Sequence, residues 1–413
     1  MNLIDLQARM DTLAYPPSCV YRIDGLVPAE PLATREANLI KVCPKFYGGH
    51  FLLDVGCNKG YHSLKAAQAG MGVDALDTDI RCIELCRDIA TALDLPNGRA
   101  RFFHTGFRDW RPVQRYDRVF LGHCYHHVFM ECGGWEWIDK LSCVCQDGAL
   151  VVIEGPRGYA TSPDLHPFMQ RWEREFTAER FNAEMMRHGF NRIATGPSSY
   201  YTIERDIMVF RYHGISTVPL SDLKIGGMIR DAARPGGQAI HRAFDGGIHV
   251  ALKLRDGPIP VAEQIEIEIS ALAGYSNGMS AWVTGPGGRA IGWLEEFDER
   301  EPNVHFAHQK EIFHALCRRN VRLTRQGYYE ADPCTTNWWA SPNSEPMMFD
   351  KDSVRHISTF TPDHVATLMK NWALSYNTIA GAGLKTLRET MESRSSVNLE
   401  ALMQQWLETP PWA

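Results

Sequence analysis

Phe51-Leu-Leu-Asp-Val-Gly-Cys-Asn-Lys-Gly-Tyr-His62 is the stretch on which the fold turns. Phe51 to Val55 is an apolar run of strand length, Gly56 follows at once, and an Ala- and Leu-rich helical pattern covers Ser63 to Ala69. Strand, glycine turn and helix in that order suit a nucleotide-like ligand. The turn lets ligand atoms approach the backbone, and the helix start presents unpaired N–H groups.

The pattern continues on both sides of this stretch. Residues 1–45 read as helical lead-in segments broken by Pro16-Pro17 and Pro28, with no legible chemistry. Gly72 to Asp77 reads as a second strand, and Asp77 at its end can accept both hydroxyl hydrogens of a ribose. The alternative is a helix cap, for which Asp79 is better placed ahead of a helix over Ile80–Ala92. Arg101 to Thr105 and Tyr116 to Gly122 read as third and fourth strands, and Leu150 to Gly155 as a fifth. Later strands at Phe190 and Ile207–Tyr212 complete the alternation. Ligands of an open α/β sheet bind outside the carboxyl ends of its strands, which puts His126 and His127 at the ligand. Adjacent histidines diverge and no third ligand is spaced to help, so the pair reads as a general base or an acceptor-positioning group, against a structural role.

The order Asp54-x-Gly56-x-Asn58-x-Gly60 resembles the first motif of class I S-adenosyl-L-methionine (SAM) methyltransferases. Asn58 replaces a glycine there, a modest departure because Asn tolerates the left-handed conformation. The resemblance implies a Rossmann-like α/β domain with Asp54, Gly56, Asn58, Gly60 and Asp77 at the donor. It also implies an adenine bordered by the loop carrying Thr105, Phe107 and Arg108. SAM brings an activated methyl group, so such a protein mainly aligns donor and acceptor, with a base where needed.

At 413 residues the chain suggests two domains, which we expect at 1–214 and 215–413. A hydrophobic share of 44% is ordinary for a soluble protein, and no apolar run has the length of a membrane span. No signal peptide is evident, and the 11 cysteines without a CxxC pair read as reduced thiols of a cytoplasmic protein. A net charge of −6 without a basic block argues against nucleic acid as a partner.

The second half changes to hairpins after a linker-like Ile215–Asp222. Strands are expected at Met228–Asp231, Gln238–Phe244 and His249–Leu254, then a helix over Val261–Leu272. Val250-Ala-Leu-Lys253 resembles the Val-Ala-Ile-Lys of protein kinases, whose lysine grips nucleotide phosphates. Glu268 on the helix would be its ion-pair partner, and Trp293-Leu-Glu295-Glu-Phe297 is placed like the adenine-holding hinge. Asp332 and Asn337 have the spacing of the kinase catalytic loop, and Met347-Met-Phe-Asp350 stands where the family has its metal-binding Asp. The departures are Glu330-Ala331 for His-Arg and Lys351-Asp352 for the family's Phe-Gly. They leave two readings, an active kinase or a pseudokinase used as a binding module.

The whole chain resembles the WbdD-type bifunctional kinase–methyltransferases that cap bacterial O-antigen polysaccharides. The resemblance rests on Asp54-Val-Gly-Cys57, Tyr116-Asp117 and Tyr125-His-His-Val128, then on Lys253, Ile267-Glu-Ile269, Asp332-x4-Asn337 and Phe349-Asp350. It implies ATP and Mg²⁺, with Asp332 as catalytic residue and Asn337 and Asp350 on the metal. The implied chemistry is phosphorylation of a sugar hydroxyl on a glycan or other polyhydroxyl acceptor, then methylation by SAM. The family's coiled coil is not visible, peripheral attachment at the inner membrane would need a partner, and a homo-oligomer is left open. The last helix, Leu399–Leu407, reads as packing on its own lobe.

Overall fold

The structure, a computed structural model, describes residues 2–13, 20–156, 178–198, 205–230, 239–245, 248–274, 279–296, 309–331, 338–341, 344–348, 353–359 and 399–408. The chain divides into two compact units: Met1–Trp110 with Gln114–Gly214, and Arg111–Val113 with Ile215–Ala413.

The first unit begins with helices α1 (Leu3–Thr12) and α2 (Leu32–Val42). It continues as β1 (Phe51–Val55), α3 (Tyr61–Gln68), β2 (Gly72–Asp77), α4 (Ile80–Ala92), β3 (Ala100–His104) and β4 (Tyr116–Gly122). Then come α5 (Tyr125–Glu131), α6 (Glu136–Val144), β5 (Cys145–Pro156), α7 (Ala178–Arg187), β6 (Phe190–Ser198) and β7 (Arg205–Tyr212). The seven strands form one sheet ordered β3-β2-β1-β4-β5-β7-β6. The first five run parallel, and β7 is antiparallel to both β5 and β6.

Both faces of this sheet are covered, as near-continuous apolar strands demand. The period-two alternation of side chains divides them between two cores. Leu53, Val55, Val119 and Leu121 join the cluster containing Trp137, Ile138 and Phe181. Leu52 and Phe120 join the cluster of Leu6, Leu39, Leu64 and Ile83 on the other face. The turn after β1 is pinned to the end of β2, since the N–H groups of Gly56 and Cys57 both donate to the Leu76 carbonyl at 2.8 and 2.9 Å. Gly56 (φ +71°) and Asn58 (φ +51°) are left-handed, as the motif requires. Asp79 caps α4 by accepting from the Arg81 N–H at 2.9 Å.

The second unit starts with β8 (Ser216–Pro219), β9 (Lys224–Arg230), β10 (Ala239–Asp245), β11 (Ile248–Leu254), α8 (Val261–Leu272), β12 (Met279–Thr284) and β13 (Ala290–Glu296). These strands are ordered β8-β12-β13-β11-β10-β9. Only the β8–β12 pair is parallel. The stretch expected as a linker is thus an edge strand. Its four residues, three of them exposed, are too short a run to carry a period. After α9 (Gln309–Arg325), β14 (Tyr328–Glu330) pairs with β17 (Val354–His356), and β15 (Trp338–Ser341) with β16 (Ser344–Met348). Helix α10 is Leu399–Glu408, with Met403 buried. Arg319 on α9 is fully buried; it donates to the Ser270 and Gly274 carbonyls at 2.7 and 2.9 Å and lies 3.1 Å from Glu330. One side chain therefore joins α8, α9 and β14.

Among the described residues, no helix is long and apolar enough to cross a membrane. The described cysteines are all free, and all but Cys124 are buried.

Candidate functional site

A pocket of about 420 Å³ opens at the carboxyl ends of the first unit's parallel strands. It lies where β1 is flanked by β2 on one side and β4 on the other, the point at which the chain's direction of travel across the sheet reverses. Its floor is the turn from Asp54 to Lys59, and Leu76, Asp77 and Thr78 form one wall. Thr105, Gly106 and Phe107 line the end beyond β3, while Gly122 at the end of β4 and His123, Cys124, His127, Val128 and Glu131 after it line the other side. Leu32, Arg35, Tyr61, His62 and Phe120 complete it.

Of the expected donor residues, Asp54, Gly56, Asn58, Asp77, Thr105 and Phe107 all face this space. Gly60 does not. It is the N-cap of α3 in a left-handed conformation, and a Cβ there would meet the Cys86 sulfur at 2.6 Å. Arg108 is also off the pocket wall, with its guanidinium on Asp109 at 2.9 Å and on the Glu131 carbonyl at 3.3 Å. The two histidines separate as adjacent helical residues must. His127 lines the pocket with Val128 and Glu131 on one face of α5, and His126 lies outside the lining. Burial, and then His127, pushes the His126 imidazole well below its ordinary range.

The carboxylates are held in different ways. Asp77 accepts from the Asn58 N–H and the Asp79 N–H, each at 2.8 Å, which orients both oxygens at the end of β2. Asp54 is fully enclosed and accepts from the Ser63 hydroxyl at 2.5 Å; burial raises its pKa to about 7. At neutral pH it is poised between acid and carboxylate. Gly56 leaves room for backbone approach, because a Cβ there would lie 2.9 Å from Cys124 Cβ. These features fit a SAM-type donor: an oriented carboxylate for the ribose and a turn that admits close contact.

Sequence reasoning missed a buried network beside the pocket. Arg35 on α2 donates through Nε to Glu154 at 2.6 Å, and a second guanidinium nitrogen also reaches that carboxylate. His123 Nε2 lies 3.0 Å from Glu154, Arg205 reaches His123 Nδ1 at 2.5 Å, and Ser198 donates to Glu154. Burial alone would raise the Glu154 carboxyl, but Arg35 and His123 outweigh it and hold it well below the usual range. Burial pulls His123 down to about 4 despite Glu154. It is therefore neutral at physiological pH. Residues 1–45, read as chemically silent, supply Arg35 to this wall; Lys59 of the turn donates to the Met10 and Leu13 carbonyls at 3.0 and 3.2 Å, tying α1 to the site. The available signal was Glu154 itself, a charged residue closing an apolar strand just as Asp77 does.

In the second unit Lys253 is buried on β11, but its ion-pair partner at 3.1 Å is Glu295 on β13. Glu268 was the expected partner. Its carboxylate instead accepts from the Trp282 indole at 2.5 Å, so this expectation is corrected. The hinge-like Glu295 presents a buried side chain that also accepts from the Trp293 indole at 2.6 Å. The register explains the pairing, since β11 and β13 are neighbours with Ala251 opposite Glu295. Asp332, Asn337 and Asp350 lie outside the described residues, in the stretches between β14 and β15 and between β16 and β17.

The order β3-β2-β1-β4-β5-β7-β6 with one antiparallel strand is the class I methyltransferase sheet. The fold of the first unit is a methyltransferase fold. In the second unit, strands β9 to β13 with α8 between β11 and β12 are arranged as in the amino-terminal lobe of protein kinases.

No family model and no curated protein matches the chain. Among solved structures, the bifunctional kinase-methyltransferase WbdD is similar over 98% of this chain and 96% of its own, at 16% identity and a TM-score of 0.36. The N-methyltransferase NodS from Bradyrhizobium japonicum WM9 is similar over 45% of this chain and 98% of its own, at 13% identity and a TM-score of 0.36. An O-methyltransferase family protein from Burkholderia thailandensis is similar over 44% of this chain and 57% of its own, at 14% identity and a TM-score of 0.34.

Proposed function

We propose that the first unit is a SAM-dependent methyltransferase. The observation that carries this reading is the pocket at the β1/β4 reversal, where Asp77 is held by two backbone N–H groups beside the Gly56 turn. SAM, when bound, supplies an electrophilic methyl group on a cationic sulfur. Asp77 would hold the ribose hydroxyls, and Gly56 and Asn58 would let the backbone lie against the donor. Asp54 would offer a buried carboxylate to a cationic part of the ligand. His127 would face the acceptor, either taking its proton or, for an anionic acceptor, donating to it. Arg35 and Glu154 would hold that side of the pocket rigid. Calorimetry tests the reading directly. Asp77→Ala should weaken SAM binding by about 1–3 kcal/mol, and unchanged affinity in a folded variant would overturn it.

We further propose that the second unit handles ATP–Mg²⁺, so that the chain phosphorylates a hydroxyl of a glycan or related polyhydroxyl acceptor and methylates the product in the cytoplasm. The kinase-like strand order and the buried Lys253 support this. Lys253 would hold nucleotide phosphates, with Asp332 at the acceptor hydroxyl and Asn337 and Asp350 on the metal. A second reading, a non-catalytic pseudokinase, is favoured by two observations. Lys253 is engaged by Glu295, and Glu330, in place of the catalytic-loop histidine, is buried against Arg319. Mass spectrometry of oligosaccharide acceptors incubated with ATP–Mg²⁺ and SAM, together and separately, distinguishes the readings. Phosphoryl increments on the acceptor support the kinase, and methyl increments alone support the pseudokinase.

A further inference from the structure

His62, on the first turn of α3, stands in the pocket wall, 6% exposed and packed edge-on against Phe46 and Phe120. Its Nδ1 lies 2.8 Å from the Tyr47 hydroxyl, and its Nε2 is buried with no hydrogen-bond partner among the described residues. The Tyr47 hydroxyl donates to Glu36 at 3.1 Å. A phenol has one proton to give, so toward His62 it can only accept, and the imidazole proton must sit on Nδ1. Glu36 also accepts from the Tyr61 hydroxyl at 2.6 Å and the Lys65 ammonium at 2.5 Å, which fixes it as the acceptor that ends this chain. Tyr47 and Glu36 are not lining residues, so the Nδ1 edge of the ring turns away from the cavity and leaves Nε2 on the other edge. Burial, and then the Arg35 guanidinium, pull the His62 imidazole down to about 3, so the ring is neutral and Nε2 carries a bare lone pair.

A buried acceptor without a partner is costly unless the contents of the pocket supply a donor. The ammonium of SAM has a stronger acceptor in the Asp54 carboxylate, which lines the same pocket. A phosphate oxygen would set one lone pair against another. An uncharged hydroxyl brings the proton that Nε2 lacks, and it adds no second cation beside Arg35. We infer that His62 accepts from an uncharged hydroxyl of the methyl acceptor, so that this side of the pocket takes an alcohol in preference to a phosphate. This rests on reading the pocket as the SAM site. On a phosphorylated glycan the group seated there would be a free sugar hydroxyl.

Neutral oligosaccharides and their 6-phosphorylated counterparts, each incubated with SAM and no ATP and followed by mass spectrometry, test the inference. Both should gain methyl groups that stay on the sugar after hydrogen fluoride has removed phosphate. His62→Phe should raise the KM for the neutral sugar about tenfold, while calorimetry finds the affinity for S-adenosylhomocysteine unchanged. His62→Asn should recover part of that loss, because its amide oxygen can accept. Methyl groups carried only on phosphate, no methylation of any of these sugars, or an unchanged KM in His62→Phe would each overturn the inference. A parallel fall in S-adenosylhomocysteine affinity would also overturn it, since His62 would then serve the donor. Nitrogen-15 NMR of the wild type should find the His62 proton on Nδ1, and a proton on Nε2 would overturn the inference even if neither variant folds. Failure of the wild type to bind S-adenosylhomocysteine would be a different result, which overturns the reading of the pocket as well.

Discussion

Each unit buries a basic side chain against a glutamate where a nucleotide-like ligand is expected, and the two pairs leave different things for that ligand. The side chains of Arg35 and Glu154 are 7% and 2% exposed, and those of Lys253 and Glu295 are 5% and 2% exposed. In the first unit the pair frames the pocket, while the ligand-facing groups are separate: the Gly56 turn and the backbone-oriented Asp77. In the second the proposed phosphate-binding group is itself half of the pair, and its ammonium also lies 5.6 Å from the Trp293 ring centre. A ligand in the first unit meets groups already aimed at it. A nucleotide bound as proposed in the second would share Lys253 with Glu295.

The largest expected effect comes from Gly56→Val. With φ at +71° and a Cβ that would meet Cys124 at 2.9 Å, the turn cannot keep its shape. SAM should then give no thermal shift, while any ATP–Mg²⁺ shift persists. A normal SAM shift in this variant would break the contrast between the units.

Lys253→Met should cost about 3–5 kcal/mol in urea unfolding, because Glu295 is left as a buried charge without its cation. The double variant Lys253→Met/Glu295→Leu should regain most of that loss. ATP–Mg²⁺ stabilisation should vanish in both and SAM affinity stay unchanged, which a pair of calorimetric titrations would check.

Within α5 the contrast is finer. His127→Gln should lower methyl transfer about 100-fold at unchanged SAM affinity, and His126→Gln by less than about threefold. Equal effects of the two substitutions would show that facing the pocket does not matter.

The smallest effect is a pH dependence. Burial raises Asp54 from 3.8 to about 7, so its contribution to stability is complete at low pH and is lost as pH rises through about 7. Between pH 6 and 8 the loss should be about 1 kcal/mol, and Asp54→Asn should abolish it. A melting-temperature profile that is the same in wild type and variant would remove Asp54 as its source.

Several elements begin and end where local pattern places them: β1, β2, β4, α4 and α8. Helix α9 and strand β12 were not legible. On α9, Arg319, Asn320 and Thr324 are buried polar residues, and they interrupt the apolar stripe by which a helix is read. Strand β12 is a short Met-Ser-Ala-Trp-Val-Thr run whose place depends on β8 and β13 on either side. The donor residues were legible because each sits at the end of a strand or in a glycine turn. Arg35 was not, since nothing near it in the chain marks a helical arginine as part of a site.

The sequence by itself determined the local conformations: strand and helix periods, the left-handed turn at Gly56 and Asn58, and the acids that close β1 and β2. Such features are set within a few residues by backbone sterics and side-chain alternation. Only the tertiary structure decided which charges meet. Arg35 and Glu154 are 119 residues apart, His127 rather than His126 faces the pocket, and Lys253 joins Glu295 instead of Glu268. A buried charge takes the partner that packing brings within reach, and packing depends on how distant elements are ordered in a sheet.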